Sequence, residues 1–182
     1  MSMTRPHFQA EKDTDAVQKN GDNFVIKPRG LSIVWGKDES YWKIPAKGTD
    51  DAAELMQVSW LEVTGSVKLT AGNSYNLTFE VELLSDAFGW KDIQVFLMAR
   101  VGKKGKYNWK KVQLQPAAGK EKIPKDDDKL TIAVPTEETD TTLQFGLYEV
   151  WSGKWKGGLK IYNAEVTVIP DPDHNLQSLH IA

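Results

Sequence analysis

The sequence predicts an all-β fold, an antiparallel β-sandwich of jelly-roll type with at most one short helix. Three observations carry that expectation. In SYNLTFEVELL, Tyr75, Leu77, Phe79, Val81 and Leu83 alternate with Asn76, Thr78, Glu80 and Glu82, the pattern of a strand that buries one face and wets the other. Comparable runs recur at 56–69, 93–101, 107–114, 130–134, 142–150 and 159–169, separated by clusters of Gly, Pro, Asp and Lys that read as turns. No long stretch carries the period of a helix. Many short strands within 182 residues fit two packed sheets around one core.

In chain order, residues 1–22 are polar and read as a flexible N-terminal arm, 23–170 as the domain, and 171–182 as a C-terminal tail. In LSIVW, strand parity puts Leu31, Ile33 and Trp35 together, so Trp35 taken alone reads as core. Trp42 directly follows Tyr41. In an extended chain these two rings face opposite ways, and one of them meets solvent or ligand. The GKDESY between Trp35 and Trp42 suits a loop, and TDDAAELM at 49–56 is the one helical candidate, with Thr49 or Asp50 as N-cap. Trp60, beside Val58 and Leu61, reads as structural.

Residues 103–122 carry seven lysines against one glutamate. The stretch reads as a solvated hairpin edge kept from edge-to-edge pairing, although it could also support weak electrostatic contact with RNA. Along TLQFGLYEV, Glu149 continues the apolar row of Leu143, Phe145 and Leu147. A carboxylate there must be paired, protonated or set at a rim. Two readings stay open: a salt bridge with Lys154 or Lys156, or an acceptor for sugar hydroxyls or an acetamide N–H. Trp151 and Trp155 flank a further turn and cannot all be core.

A formal charge of −2 argues against an obligate nucleic-acid binder. With no cysteine, neither disulfides nor thiolate metal sites are available. The N-terminus has no apolar signal region, and no apolar run approaches the ~20 residues of a membrane span. The expected location is cytoplasmic or nuclear. Histidine occurs only at His7, His174 and His180, all in the expected arm and tail, which excludes a Ser–His–Asp arrangement in the core. No spacing suggests a metal site, and no pair of carboxylates stands out for glycoside hydrolysis. We therefore expect no catalytic residues, metal or cofactor.

The segments 31–45 and 145–159 hold four of the seven tryptophans, interleaved with glycine, lysine and carboxylates. An indole offers a flat apolar face and one N–H donor, which suits a ligand that is half apolar and half polar. A pyranose is such a ligand: its C–H face stacks on the ring while its hydroxyls are hydrogen-bonded at the rim. The expectation is a carbohydrate-binding module with Trp35, Tyr41, Trp42, Glu149, Trp151 and Trp155 as candidate contacts.

The blocks PRGLSIVWGKDESYWKIP, AELMQVSWLEVTGSV and LQFGLYEVWSGKWKGGLKIYNAEV, in that order, resemble the phloem lectin family, its cucurbit members and, more distantly, the tobacco leaf agglutinin. The resemblance spans residues 24–169. It implies a β-sandwich lectin for oligomers of N-acetylglucosamine, as in chitin fragments and N-glycan cores. Its implied partners are chitooligosaccharides and N-glycan-bearing glycoproteins. It also implies a homodimer in the nucleocytoplasm or phloem sap, without enzymatic activity or metal. Residue by residue, the family's tryptophan pair falls on Trp35 and Trp42 and its downstream glutamate on Glu149. The second acid of the tobacco relative is matched here by Thr142. Trp151 and Trp155 extend the implied contact surface, and the absence of cysteine removes the cross-linking known for some members.

Overall fold

Alternating burial builds two antiparallel sheets. The structure, a computed structural model, describes residues 6–11, 15–116 and 119–170. Among these, one sheet of five strands runs β3 (Ser32–Ile33), β6 (Leu61–Lys68), β12 (Thr142–Glu149), β8 (Val95–Val101), β9 (Asn108–Val112). In the other, of eight strands, β13 (Gly157–Val168) is central. β7 (Ser74–Phe88) pairs along one side of it, and β2 (Asn23–Ile26) and β5 (Ala53–Leu55) pair in tandem along the other. β1 (Val17–Asn20) lies beyond β2 and β4 (Trp42–Lys43) beyond β5. β10 (Glu121–Ile123) and β11 (Leu130–Ala133) pair with the far edge of β7.

The period-two reading of β7 holds: Tyr75, Leu77, Phe79, Val81 and Leu83 are all buried, and the residues between them are not. Phe79 meets Phe145 of β12 edge-on across the sandwich, with ring centroids 6.0 Å apart. Burial of each such side chain contributes about 1.5–3 kcal/mol, so the matched inner rows of the two sheets bind them together.

Two sequence expectations fail. The candidate helix at 49–56 contains β5 instead, with Ala53 and Leu55 buried and Glu54 turned outward. Eight residues are too few for an isolated helix, and pairing with β13 and β4 decides their conformation. The only helical element among the described residues is a 3₁₀ turn, Pro28–Gly30.

The N-terminal arm expected over 1–22 is, where described, part of the sandwich. β1 pairs with β2, and Phe8 and Ile33 exchange backbone hydrogen bonds of 2.9 Å in both directions. Arg29 Nη1 also binds Glu11 Oε1 at 2.7 Å. Polar composition concealed this, because backbone pairing and a few anchors such as Phe8 and Val17 hold the segment rather than an apolar row. The tail expected over 171–182 lies outside the described residues. The lysine-rich stretch includes β9, the edge strand of the five-stranded sheet, where Lys110 pairs with Asp128 at 2.7 Å.

Candidate functional site

Glu149 ends the inner row of β12, and its carboxylate is 3% exposed. Parity placed it correctly. Of the two open readings, the ion pair with Lys156 is present: Nζ lies 3.2 Å from Oε1, and the Lys156 side chain is fully buried. Lys156 Nζ also donates to the carbonyls of Ser59 and Lys154, at 3.0 Å each, which uses all three of its protons.

The carboxylate is equally committed. Oε2 accepts the backbone N–H groups of Trp151 (3.1 Å) and Ser152 (3.3 Å), while Oε1 also accepts the Ser152 hydroxyl. With Lys156 that makes four donors for about four lone-pair sites. Glu149 is therefore a positioning residue, saturated within the protein, and has no acceptor left for a sugar hydroxyl. Burial pushes its pKa up, but the Ser152 hydroxyl and N–H and the Lys156 ammonium outweigh that and hold it below the ordinary value. Burial lowers the pKa of Lys156, against the pull of Glu149.

This pair fixes the β12–β13 connection, residues 150–156, which carries both Trp151 and Trp155. A reciprocal backbone bridge, Val58 N–H to Lys156 O at 3.0 Å and Lys156 N–H to Val58 O at 2.9 Å, ties the connection to the one before β6. Met56 N–H then donates to Tyr41 O at 2.8 Å, which brings in the β3–β4 loop. The β7–β8 turn closes the cluster. Gly89 has φ +84, and a Cβ there would lie 2.0 Å from Trp155 O, so only glycine permits the approach.

The result is a continuous aromatic strip across these loops. Tyr41 stacks with Trp155 (centroids 6.2 Å, planes 26° apart), Trp35 packs edge-on to Tyr41 (5.5 Å), and His7 packs edge-on to Trp35 (6.0 Å). Trp155 is 53% exposed and Trp35 39%.

Trp35 is not the core residue that parity suggested. It occupies the third position of the turn Ile33–Gly36, closed by Gly36 N–H to Ile33 O at 3.0 Å, with φ +66. Positive φ at that position is the mark of a type II turn, and it rotates the indole out of the Leu31–Ile33 row. The Trp35 backbone N–H donates to His7 Nδ1 at 3.2 Å.

The Tyr41–Trp42 couple divides as alternation requires, with Tyr41 half-buried in the strip and Trp42 inside. Trp42 is 1% exposed in β4, paired with Leu55, and cannot stack on a ligand. This corrects its candidacy as a contact: Trp42 is a core residue.

Trp151, 61% exposed, leaves the strip and packs on Phe96 of β8 at 4.6 Å, with Trp109 of β9 following at 5.9 Å. This second group borders a broad, open depression of about 840 Å³ lined also by Gln94, Gln113 and Ser152. The structure thus brings Trp35, Tyr41 and Trp155 together and sends Trp151 to a neighbouring surface.

Sequence reasoning missed His7, which had been assigned to the arm, and misread Trp60, which is exposed and donates its indole N–H to Glu62 Oε1 at 3.2 Å. The signal for Trp60 was its parity with Glu62 and Thr64, the polar row of β6. Among the described residues no cluster of three or more His, Asp or Glu is placed to hold a metal.

A family model described as Phloem protein 2 matches residues 21–168. Protein PHLOEM PROTEIN 2-LIKE A9 of Arabidopsis thaliana is 41% identical over 177 residues, covering 91% of this chain and 97% of that protein. PHLOEM PROTEIN 2-LIKE A1 of the same plant is 29% identical over 152 residues, and the match spans 79% of this chain and 61% of that protein. A lectin of Luffa acutangula is 37% identical over 82 residues, 40% of this chain and 39% of that one. Among solved structures, a Family 16 carbohydrate-binding module matches with TM-score 0.41 at 12% identity, covering 90% of this chain and 96% of that one. A Podospora anserina β-(1,4)-mannanase matches with TM-score 0.47 at 8% identity, covering 84% of this chain and 29% of that one. The match across residues 21–168 takes in nearly the whole sandwich and the loops that carry Trp35, Tyr41 and Trp155: the chain belongs to the phloem protein 2 family.

Proposed function

We propose that the chain is a carbohydrate-binding lectin that takes N-acetylglucosamine oligomers on the strip formed by Trp35, Tyr41 and Trp155, without chemistry on the glycan. The observation that carries this reading is the strip itself. Three large rings from two separate loops lie in contact at the surface, held there by a buried ion pair and a glycine that admits no side chain. Rings that served only the core would be inside, as Trp42 is.

Stacking on successive sugars contributes about 1–2 kcal/mol per ring, by analogy with other aromatic stacking. Backbone groups of the loops and the His7 imidazole stand at the rim to orient hydroxyls. Trp151 offers a further contact for a longer oligomer. Glu149 acts through the loop it holds. The preference for acetamido sugars rests on the resemblance to phloem lectins, and the Luffa relative is itself named a lectin. Single sites of this kind are weak, and a homodimer presenting two of them gains avidity on polymeric ligands.

The test is retention on immobilised chitin. Wild type should be retained and eluted by chitotriose, Trp155→Ala should pass through, and chitotetraose incubated with the protein should be recovered intact. Equal retention of the variant would remove the strip from the site, and release of shorter sugars would make the protein an enzyme.

A further inference from the structure

The outer face of the five-stranded sheet has its own hollow, of about 290 Å³, away from the aromatic strip. None of Trp35, Tyr41 or Trp155 lines it. Its walls carry the hydroxyls of Ser32, Thr64, Ser66, Tyr107 and Tyr148 and the amide of Gln144, with no carboxylate among the lining residues. The Tyr148 ring lies down along β12 over Gly146, where a Cβ would come within 2.7 Å of it. Burial, then the charge of Glu62, raises the Tyr148 hydroxyl to about 12, so it remains a donor across the working pH range. Glu62, the acid opposite Tyr148, is engaged by the Trp60 indole N–H.

Arg100 stands at the margin of this hollow. It pairs in register with Gln144, and its Nη2 donates to Gln144 Oε1 at 3.0 Å. Its guanidinium carbon lies 4.9 Å from the centroid of the Tyr107 ring. Among the described residues no carboxylate pairs with it, and its Nε is buried without an acceptor. An unmade hydrogen bond at a buried guanidinium nitrogen is costly, and the planar fork of the group takes a carboxylate, such as that of a uronic acid, through paired hydrogen bonds. The size of the hollow, near the lower end of the roughly 300–1,000 Å³ of small-molecule sites, suits a sugar residue or two rather than a long chain.

We propose that this face is a second saccharide site, selective for a uronate: Arg100 takes the carboxylate, the hydroxyl-bearing wall takes the ring hydroxyls, and Tyr107 and Tyr148 flank the ring. The charge around it agrees. Lys104 and Lys106 lie on the β8–β9 connection that leads into Tyr107, and none of the residues lining the hollow is acidic.

The test is calorimetric titration of the full chain with trigalacturonate, with the neutral galactose trimer as control. The expected result is saturable binding of the acidic trimer alone, weakened by salt, at least tenfold weaker in Arg100→Gln and unchanged in Trp155→Ala. Ser66→Trp, at an exposed position, fills the hollow without touching the core and should weaken binding equally should Arg100→Gln fail to fold. No binding of trigalacturonate overturns the proposal. So does binding that both Arg100→Gln and Ser66→Trp leave intact, or binding that Trp155→Ala abolishes, since that places the acid on the strip. Chitotriose binding is read in the same variants and reports separately on the strip.

Discussion

Lys156 Nζ lies 3.2 Å from Glu149 Oε1, and neither side chain is more than 3% exposed. The pair stands beneath the loop that carries Trp151 and Trp155, and every donor of the ammonium and every acceptor site of the carboxylate is used within the protein. Removing one partner leaves an uncompensated buried charge, which generally costs about 3–5 kcal/mol. Glu149→Ala should therefore lose stability on that scale in urea denaturation, together with sugar binding. A loss below about 1 kcal/mol, the level of an exposed pair, would contradict the burial described here.

The same carboxylate sets a pH dependence. Its pKa in the folded protein is held below the ordinary 4.5, so the folded state binds this proton less readily than the unfolded chain. The stability it contributes is complete above 4.5 and is lost as the pH falls below that value through the folded pKa. Thermal denaturation followed from neutral to acid pH should fall more steeply in wild type than in Glu149→Gln, and the two curves should converge at the acid end. Parallel curves would mean that Glu149 is not the group responsible.

Trp42 and Trp155 separate stability from binding. Trp42→Ala empties a core position and should cost about 3–5 kcal/mol. Trp155→Ala removes an exposed ring and should stay within about 0.5 kcal/mol of wild type. Its effect belongs to binding, a loss of about 1–2 kcal/mol, which is roughly 5- to 30-fold in Kd. Chemical denaturation and a chitotriose titration on both variants check the division. A stable, non-binding Trp42→Ala would reverse the assignment.

Gly89→Ala tests the scaffold behind the strip. Its φ of +84 disfavours a side chain by about 1–2 kcal/mol, and the new Cβ would collide with Trp155 O. The variant should melt lower and bind chitotriose more weakly, although it alters no ring. Unchanged binding would mean that the 155–156 segment relaxes freely and that its position is not set by Gly89.

The long strands were legible because their alternation is a local property of the chain: β7 and β12 carry their buried rows in plain sight. What was illegible depended on partners distant in sequence. β5 looks helical until β13 pairs with it, and β1 looks disordered until β2 does. At the site, parity located Glu149 but could not choose Lys156 as its partner, because that choice depends on where the Ser59 and Lys154 carbonyls sit. Trp35 was misread because alternation assumes extended backbone, and one residue at φ +66 ends it. His7 reaches the strip by the Phe8–Ile33 pairing, which nothing local announces. The aromatic richness of segments 31–45 and 145–159 marked the loops that meet in the aromatic strip, while grouping the buried ring, Trp42, with those at the surface.

The central claim is that the Trp35–Tyr41–Trp155 strip binds acetamido sugars. Its most direct test is a titration of chitotriose followed by the indole N–H resonances of the seven tryptophans, assigned by single substitution, with cellotriose as the control. The account predicts saturable shifts at Trp35 and Trp155 with chitotriose, none at Trp90 in the core, and no response to cellotriose. Shifts confined to Trp109 and Trp60, or no shift at saturating chitotriose, would contradict it.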